Sequence, residues 1–264
     1  MTTLTTVSGD ELHFDDVPGP DGAPVIVWAH GFLLSAVSYT EVIAKLPDFR
    51  HIIADLRGHG RSAGTASDTT LSRMADDIWE ITQSLDVPEF TIIGHSMGNA
   101  VAVRLAAKHP AAVVAGVSLA GIPVSGKREE AREGVAAMVE LAGDAQQLAD
   151  ALAGLFVHED PSSPMVVSAG HEASLVPRQG VAEVVHRQFF LDESATLLPS
   201  LTQPWLFLVP SADATEPPAY QLSQAELLPN SHVVVLEDEG HMFPQERPEL
   251  AAHHIGTFLT SLRR

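Results

Sequence analysis

Apolar positions along this chain fall into two alternating patterns. Short, nearly continuous apolar runs occupy 24–29, 51–54, 90–93, 113–119, 204–209 and 232–236. The runs at 24–29 and 51–54 suit strands buried on both faces of a parallel sheet, and the others read as further strands of it. Between them the spacing turns helical: Leu71, Met74, Ile78, Ile81 and Leu85 share one face, with acids and amides between them. Residues 38–46 and 219–228 also read as helices, and 248–262 as a closing amphipathic one. Upstream, the chain to Val17 alternates weakly about Ser8-Gly9-Asp10, which predicts two short strands and a turn. The cluster Pro18-Gly19-Pro20-Asp21-Gly22 is a surface turn. Strand, helix, strand with glycine turns at strand ends predicts an α/β fold: a mainly parallel, doubly wound sheet with helices on both faces. No repeat period is visible.

The alternation stops after Gly121-Ile122-Pro123. Over 124–199 helical patterning continues without a buried strand. Leu148, Leu152, Leu155 and Phe156 stand at i, i+4, i+7 and i+8, and small and apolar residues crowd 135–141. Pro161-Ser162-Ser163-Pro164 and Pro177 cut the region into short pieces. The expected organisation is a core made of 1–120 and 201–264, with 121–200 inserted as a helical cap over the ligand-binding edge of the sheet.

Composition narrows the chemistry. The 264 residues contain no cysteine, which removes disulfides, thiolate nucleophiles and cysteine metal sites. None of the 13 histidines falls in a His-Glu-x-x-His spacing, so no metal is expected. Fifteen Lys and Arg against 34 Asp and Glu give a net charge of −19, which argues against nucleic acid or an anionic membrane as partner. The first residues form no basic-then-apolar signal and no apolar run is long enough to span a bilayer, so a soluble, cytoplasmic protein is expected.

The candidate chemistry centres on Gly94-His95-Ser96-Met97-Gly98. An apolar strand runs into this pentapeptide and an Ala/Val/Leu-rich helix runs out of it, the context of a nucleophile elbow. There the Ser96 hydroxyl stands at the carboxyl end of the sheet, and the Met97 amide, at a helix N-terminus, points toward a developing oxyanion. A serine hydroxyl needs a base, and the base needs a third group to hold its tautomer. His241 follows a glycine just beyond the last strand. His232 lies at the wrong end of that strand, and His253 and His254 lie in the terminal helix. Asp213 follows the strand ending at Val209, with Glu216 a nearby competitor for the acid. His30 and His95 read as packed turn residues, and Asp55 and Arg57 as loop ties.

With these residues in view, the chain resembles the α/β-hydrolase superfamily. The likeness covers nearly all of it apart from the insertion. It rests on His30-Gly31-Phe32, Asp55-x-Arg57-Gly58-x-Gly60-x-Ser62, Gly94-x-Ser96-x-Gly98, and the late Asp213 with Gly240-His241. The resemblance implies an oxyanion hole made by the amides of Phe32 and Met97, and a helical cap or lid over the insertion. Two positions depart from the pattern: Pro210 replaces a common glycine in the acid loop, and Asn99 replaces a frequent second glycine after the nucleophile.

The expected function is that of a serine hydrolase cleaving a carboxylic ester or lactone of a fairly bulky hydrophobic small molecule through an acyl-enzyme, with no cofactor. The same triad also suits a C–C bond hydrolase, a thioesterase, a peroxide-using relative or a cofactor-free lyase. A binding module of the hormone-receptor kind is the alternative outside enzymology. A homo-oligomer stays open.

Overall fold

Turns rich in glycine and proline separate the strands, and the computed structural model shows what they join. It describes residues 2–62, 68–121, 137–184 and 193–263. Among these, eight strands form one sheet: β1 (Thr2–Thr5), β2 (Glu11–Val17), β3 (Val25–Ala29), β4 (Arg50–Ala54), β5 (Phe90–His95), β6 (Val113–Leu119), β7 (Trp205–Pro210) and β8 (Ser231–Leu236). The order across the sheet is β1-β2-β4-β3-β5-β6-β7-β8. The β1–β2 and β2–β4 pairs are antiparallel and all the others parallel. β5 therefore lies inside the sheet between β3 and β6, and β8 is an edge.

Side-chain alternation divides the core in two. Val27, Ala29, Phe207 and Val209 face α2 (Leu71–Ser84) and α3 (Met97–Lys108) on one side. Ile26, Trp28, Leu206 and Leu208 face α1 (Thr40–Ala44) and the C-terminal helix (Pro248–Ser261) on the other. This two-sided burial is why strands such as β3 and β7 read as unbroken apolar runs, whereas the run at 232–236 is the edge strand β8, in which Val233 and Val235 are exposed. The start of α2 is set by Thr70, whose side chain accepts the Arg73 amide at 3.1 Å. The helix expected at 38–46 begins as a 3-10 turn over Ala36–Tyr39 before becoming α1.

A third apolar cluster belongs to the inserted region. It holds α4 (Ala145–Leu152) and α5 (Pro164–Ser174), started by the side-chain caps Asp144 and Ser163, and α6 (Arg178–Val184). Leu148, Leu152, Phe156 and Val166 pack there with Leu33, Leu34 and Met242 of the sheet's carboxyl edge. The stripe from Leu148 to Phe156 is not one helix: α4 ends at Leu152, tightens to a 3-10 turn over Ala153–Leu155, and Phe156 is extended. Residues 122–136 and 185–192, including the start of the 135–141 run, lie outside the described residues. No helix among the described residues is long and apolar enough to cross a membrane. The remaining helices are α7 (Pro218–Leu227), α8 (Phe243–Glu246) and α9, the C-terminal helix already named.

Candidate active site

Ser96 sits between β5 and α3 with φ 50° and ψ −117°, a left-handed backbone that side chains rarely adopt. Such a residue costs on the order of 1–3 kcal/mol and persists where its surroundings over-determine it. Here they do. The Ser96 amide donates to Leu119 O at 3.1 Å, and Ser96 O accepts from the Asn99 amide at 2.9 Å. A Cβ on Gly94 would lie 2.6 Å from Asn99 N, and one on Gly98 only 1.9 Å from Ala29 O. Both glycines are therefore steric requirements of the elbow, pressing α3 against the end of β3.

The same approach brings in the turn after β3. The Cβ position of Gly98 is 2.8 Å from His30 O, and that of Gly31 is 3.1 Å from His95 Nδ1. Phe32 thus leaves a turn that abuts the nucleophile loop. Met97, the first residue of α3, carries an N–H with no acceptor inside the helix.

Asp213 and His241 arrive from the loops after β7 and β8. His241 Nδ1 lies 2.9 Å from Asp213 Oδ2, and the Asp213 side chain is fully buried. The other carboxylate oxygen, Oδ1, accepts the amides of Thr215 at 2.8 Å and Glu216 at 2.9 Å, so the loop holds its own acid in place. An ionised carboxylate only accepts, so the imidazole proton is on Nδ1 and Nε2 is free to take another. Burial pulls the His241 pKa down, but the charge and hydrogen bond of Asp213 and the charge of Glu216 outweigh it. The net shift is upward. Among the described residues Ser96 Oγ and His241 Nε2 are not hydrogen-bonded to each other. That contact is often loose until substrate binds.

The remaining candidates separate by their partners. Glu216 is buried and contributes its amide and its field to the pair, but the hydrogen bond to His241 belongs to Asp213. His30 Nε2 accepts the Leu56 amide at 2.9 Å, which puts its proton on Nδ1, directed at Gly31 O. His95 Nε2 donates to His241 O at 2.9 Å. Burial, and then the nearby His241, drive the His95 pKa down to about 3. Both are packed turn residues. Arg57 pairs with Asp77 through Nε at 2.7 Å and Nη2 at 2.9 Å, and Asp55 accepts the Ala36 amide at 2.7 Å, so both tie loops together. Asn99 is fully buried and donates to Leu119 O and Gly121 O. It fixes the end of β6 and has no exposure through which to meet a ligand. Pro210 continues β7, paired with Leu236, and leaves the Asp213 loop intact.

Two features carried no sequence signal. Gln221 donates from Nε2 to Asp213 Oδ2 at 3.0 Å and to Glu216 O at 2.6 Å. Segment 155–158 of the inserted region is strapped across the His241 loop. Leu155 O accepts the Met242 amide at 3.2 Å, the His158 amide donates to Glu246 Oε1 at 2.6 Å, and His158 Nε2 lies 3.0 Å from Glu239 Oε2. The first folds α7 back on the loop just before it, and the second joins distant parts of the chain.

A family model described as alpha/beta hydrolase fold matches residues 24–248. In overall structure the chain is similar to a thermophilic esterase from Thermogutta terrifontis, with a TM-score of 0.86 and 28% identity over 100% of this chain and 99% of that one. It is also similar to the enol-lactonase from Burkholderia xenovorans LB400, at TM-score 0.85 and 22% identity over 98% and 100% of the two chains. Among curated sequences it is 39% identical to the magnesium-chelatase 30 kDa subunit of Rhodobacter capsulatus over 104 residues, a match spanning 39% of this chain and 37% of that protein. An eight-stranded sheet with this elbow, matched across most of its length, places the chain in the α/β-hydrolase fold family.

Proposed function

We propose that the protein is a serine hydrolase that cleaves a carboxylic ester or lactone of a fairly bulky hydrophobic small molecule. The observation that carries this reading is the buried 2.9 Å contact between His241 Nδ1 and Asp213 Oδ2, set beside a serine in a strained elbow. It leaves His241 Nε2 free to take a proton. The similarity to an esterase at 28% identity over the whole chain supports the ester class.

In this mechanism Ser96 Oγ adds to the ester carbonyl carbon as its proton passes to His241 Nε2. The amides of Phe32 and Met97 hold the oxyanion. Collapse of the tetrahedral adduct breaks the bond to the alkoxide, which takes the proton from His241 and leaves. In a lactone it stays tethered to the acyl group. Water then attacks the acyl carbon, again losing its proton to His241; the second adduct collapses, the bond to Ser96 Oγ breaks, Oγ takes that proton back from His241 and the acid is released. Asp213 holds the imidazole and stabilises its charged form. Region 121–200 is assigned as the cap, and the apolar cluster it forms with Leu33, Leu34 and Met242 at the sheet's carboxyl edge supports a hydrophobic substrate. No step calls for a cofactor.

The test is Ser96→Ala with a fluorophosphonate probe and a panel of aryl esters and lactones. Turnover is expected to fall on the order of 10³-fold or more with the fold intact. The probe is expected to label Ser96 alone. Labelling of another serine, with activity surviving in the variant, overturns the assignment.

A further inference from the structure

Beside the site just described, and separate from the serine and its partners, lies a cavity of about 320 Å³. That is near the lower end of the ~300–1,000 Å³ range of small-molecule pockets. Five segments meet at it: the turn from Leu34 to Ser38, Glu41 of α1, Phe156, helix α5, and Met242 with Gln245 after the base. Leu34, Phe156, Met165 and Met242 give it an apolar wall.

Its polar lining is one-sided. Among the described residues the charged groups facing it are Glu172 and Glu41, both acidic. Glu172 Oε2 accepts the hydroxyls of Ser35 at 2.8 Å and Ser38 at 3.1 Å, and Oε1 takes neither. Burial raises the Glu172 pKa above the ordinary carboxylate value, and the hydrogen bonds from those serines offset only part of the rise. Gln245 also lines the cavity, and its amide oxygen and nitrogen are both covered without a hydrogen-bond partner. A covered, unbonded amide is uncommon in native structures and calls for an explanation. Turning it into the cavity breaks no hydrogen bond.

We propose that this cavity is a second small-molecule site, taking an apolar molecule that carries a primary ammonium group, such as an alkylamine. An ammonium has three donors and no acceptor. The Glu172 carboxylate, the Ser38 hydroxyl and the Gln245 carbonyl supply acceptors, and the apolar wall receives the chain. A carboxylate ligand meets two acids with no base to offset them. A neutral ligand leaves the Glu172 charge buried and unpaired. The assignment does not depend on the reaction at Ser96.

Methionine methyl resonances provide the test, because the chain has six methionines and two of them line the cavity. Hexylammonium titrated into ¹³C-methyl-methionine protein is expected to give saturable shifts at Met165 and Met242, with Met74 in the core unmoved. Met97, next to the nucleophile, reports on binding at Ser96 instead. Hexanol and hexanoate are expected to bind at least tenfold more weakly in the same experiment, which needs no variant. Glu172→Gln is expected to erase that preference while hexanol binding stays the same, and Ala169→Leu to fill the cavity and abolish both. The proposal is overturned by a silent Met165, by shifts confined to Met97, or by hexanol binding as tightly as hexylammonium.

Discussion

Gln221 donates its side-chain amide to Oδ2 of Asp213, the same oxygen that faces His241. One carboxylate oxygen thus serves two partners, and the glutamine restrains the acid without touching the base. Its other bond, to Glu216 O, ties the acid loop to the start of α7. Hydrogen bonds to charged groups are worth about 1.5–3 kcal/mol. Gln221→Leu is expected to lower unfolding free energy by about that amount in urea titrations. Its kcat is expected to fall less than that of Asp213→Asn, in which an amide favours the wrong imidazole tautomer. Glu216→Gln is expected to keep most activity. If Glu216→Gln is the crippled variant and Asp213→Asn is not, the acid has been misassigned.

The pH dependence has a definite sign. His241 must be neutral at Nε2 to act as base, and its pKa lies above the ordinary imidazole value of about 6.5. The kcat/KM profile is expected to rise with pH and to level off above 6.5. Glu216→Gln removes one of the charges that raise this pKa, so its limb is expected to move to lower pH. A profile already flat below pH 6 contradicts a histidine base.

Stability follows the other histidines. Burial holds His59 and His95 neutral, each with a pKa lowered to about 3, and lowers that of His30 as well. The unfolded chain takes up protons at these positions below about pH 6.5, while the folded chain does not. Stability is therefore expected to drop as pH falls from 6.5 toward 3, each histidine contributing up to about 1.4 kcal/mol per pH unit. His241 has the opposite linkage: its contribution is complete below about 6.5 and is lost as pH rises through its raised folded value. Urea midpoints measured between pH 4 and 8 will separate the two. Midpoints that do not fall on the acid side contradict neutral buried imidazoles.

The strap over the base makes a fourth prediction. A Cβ on Gly240 would lie 2.3 Å from Val157 Cγ2 and 3.2 Å from Leu155 O. Gly240→Ala must displace segment 155–158 or the His241 loop, and either movement is expected to reduce kcat/KM at least tenfold. Val157→Ala removes the closer of these contacts. The double variant is expected to recover most of the loss, and no recovery means that the clash is not the cause.

The middle of the sheet was legible in the sequence because strands such as β3, β5 and β7 are buried on both faces and its turns carry glycines with steric duties, whereas the apolar run of β8 lies on an exposed edge. The expected run at 204–209 became β7 (Trp205–Pro210), and the strand before the elbow became β5 (Phe90–His95). Asp213 and His241 could be named because chain order and strand ends confine them. The inserted region was less legible. The spacing of Leu148, Leu152, Leu155 and Phe156 suits one long helix, but packing against Leu33, Leu34 and Met242 and the Leu155–Met242 hydrogen bond end it early. Gln221 was invisible for a different reason: no motif marks a helix residue whose side chain turns back on the loop before it.

The components of the proposed triad hang from strands of unequal security. Ser96 follows β5, which is hydrogen-bonded on both sides, whereas His241 follows β8, which is bonded only to β7. Edge strands open at lower free-energy cost than strands inside a sheet. Partial unfolding will therefore detach the base while the nucleophile elbow is still formed. Such a molecule keeps nearly all its secondary structure and has lost its general base, so inactivation runs ahead of denaturation.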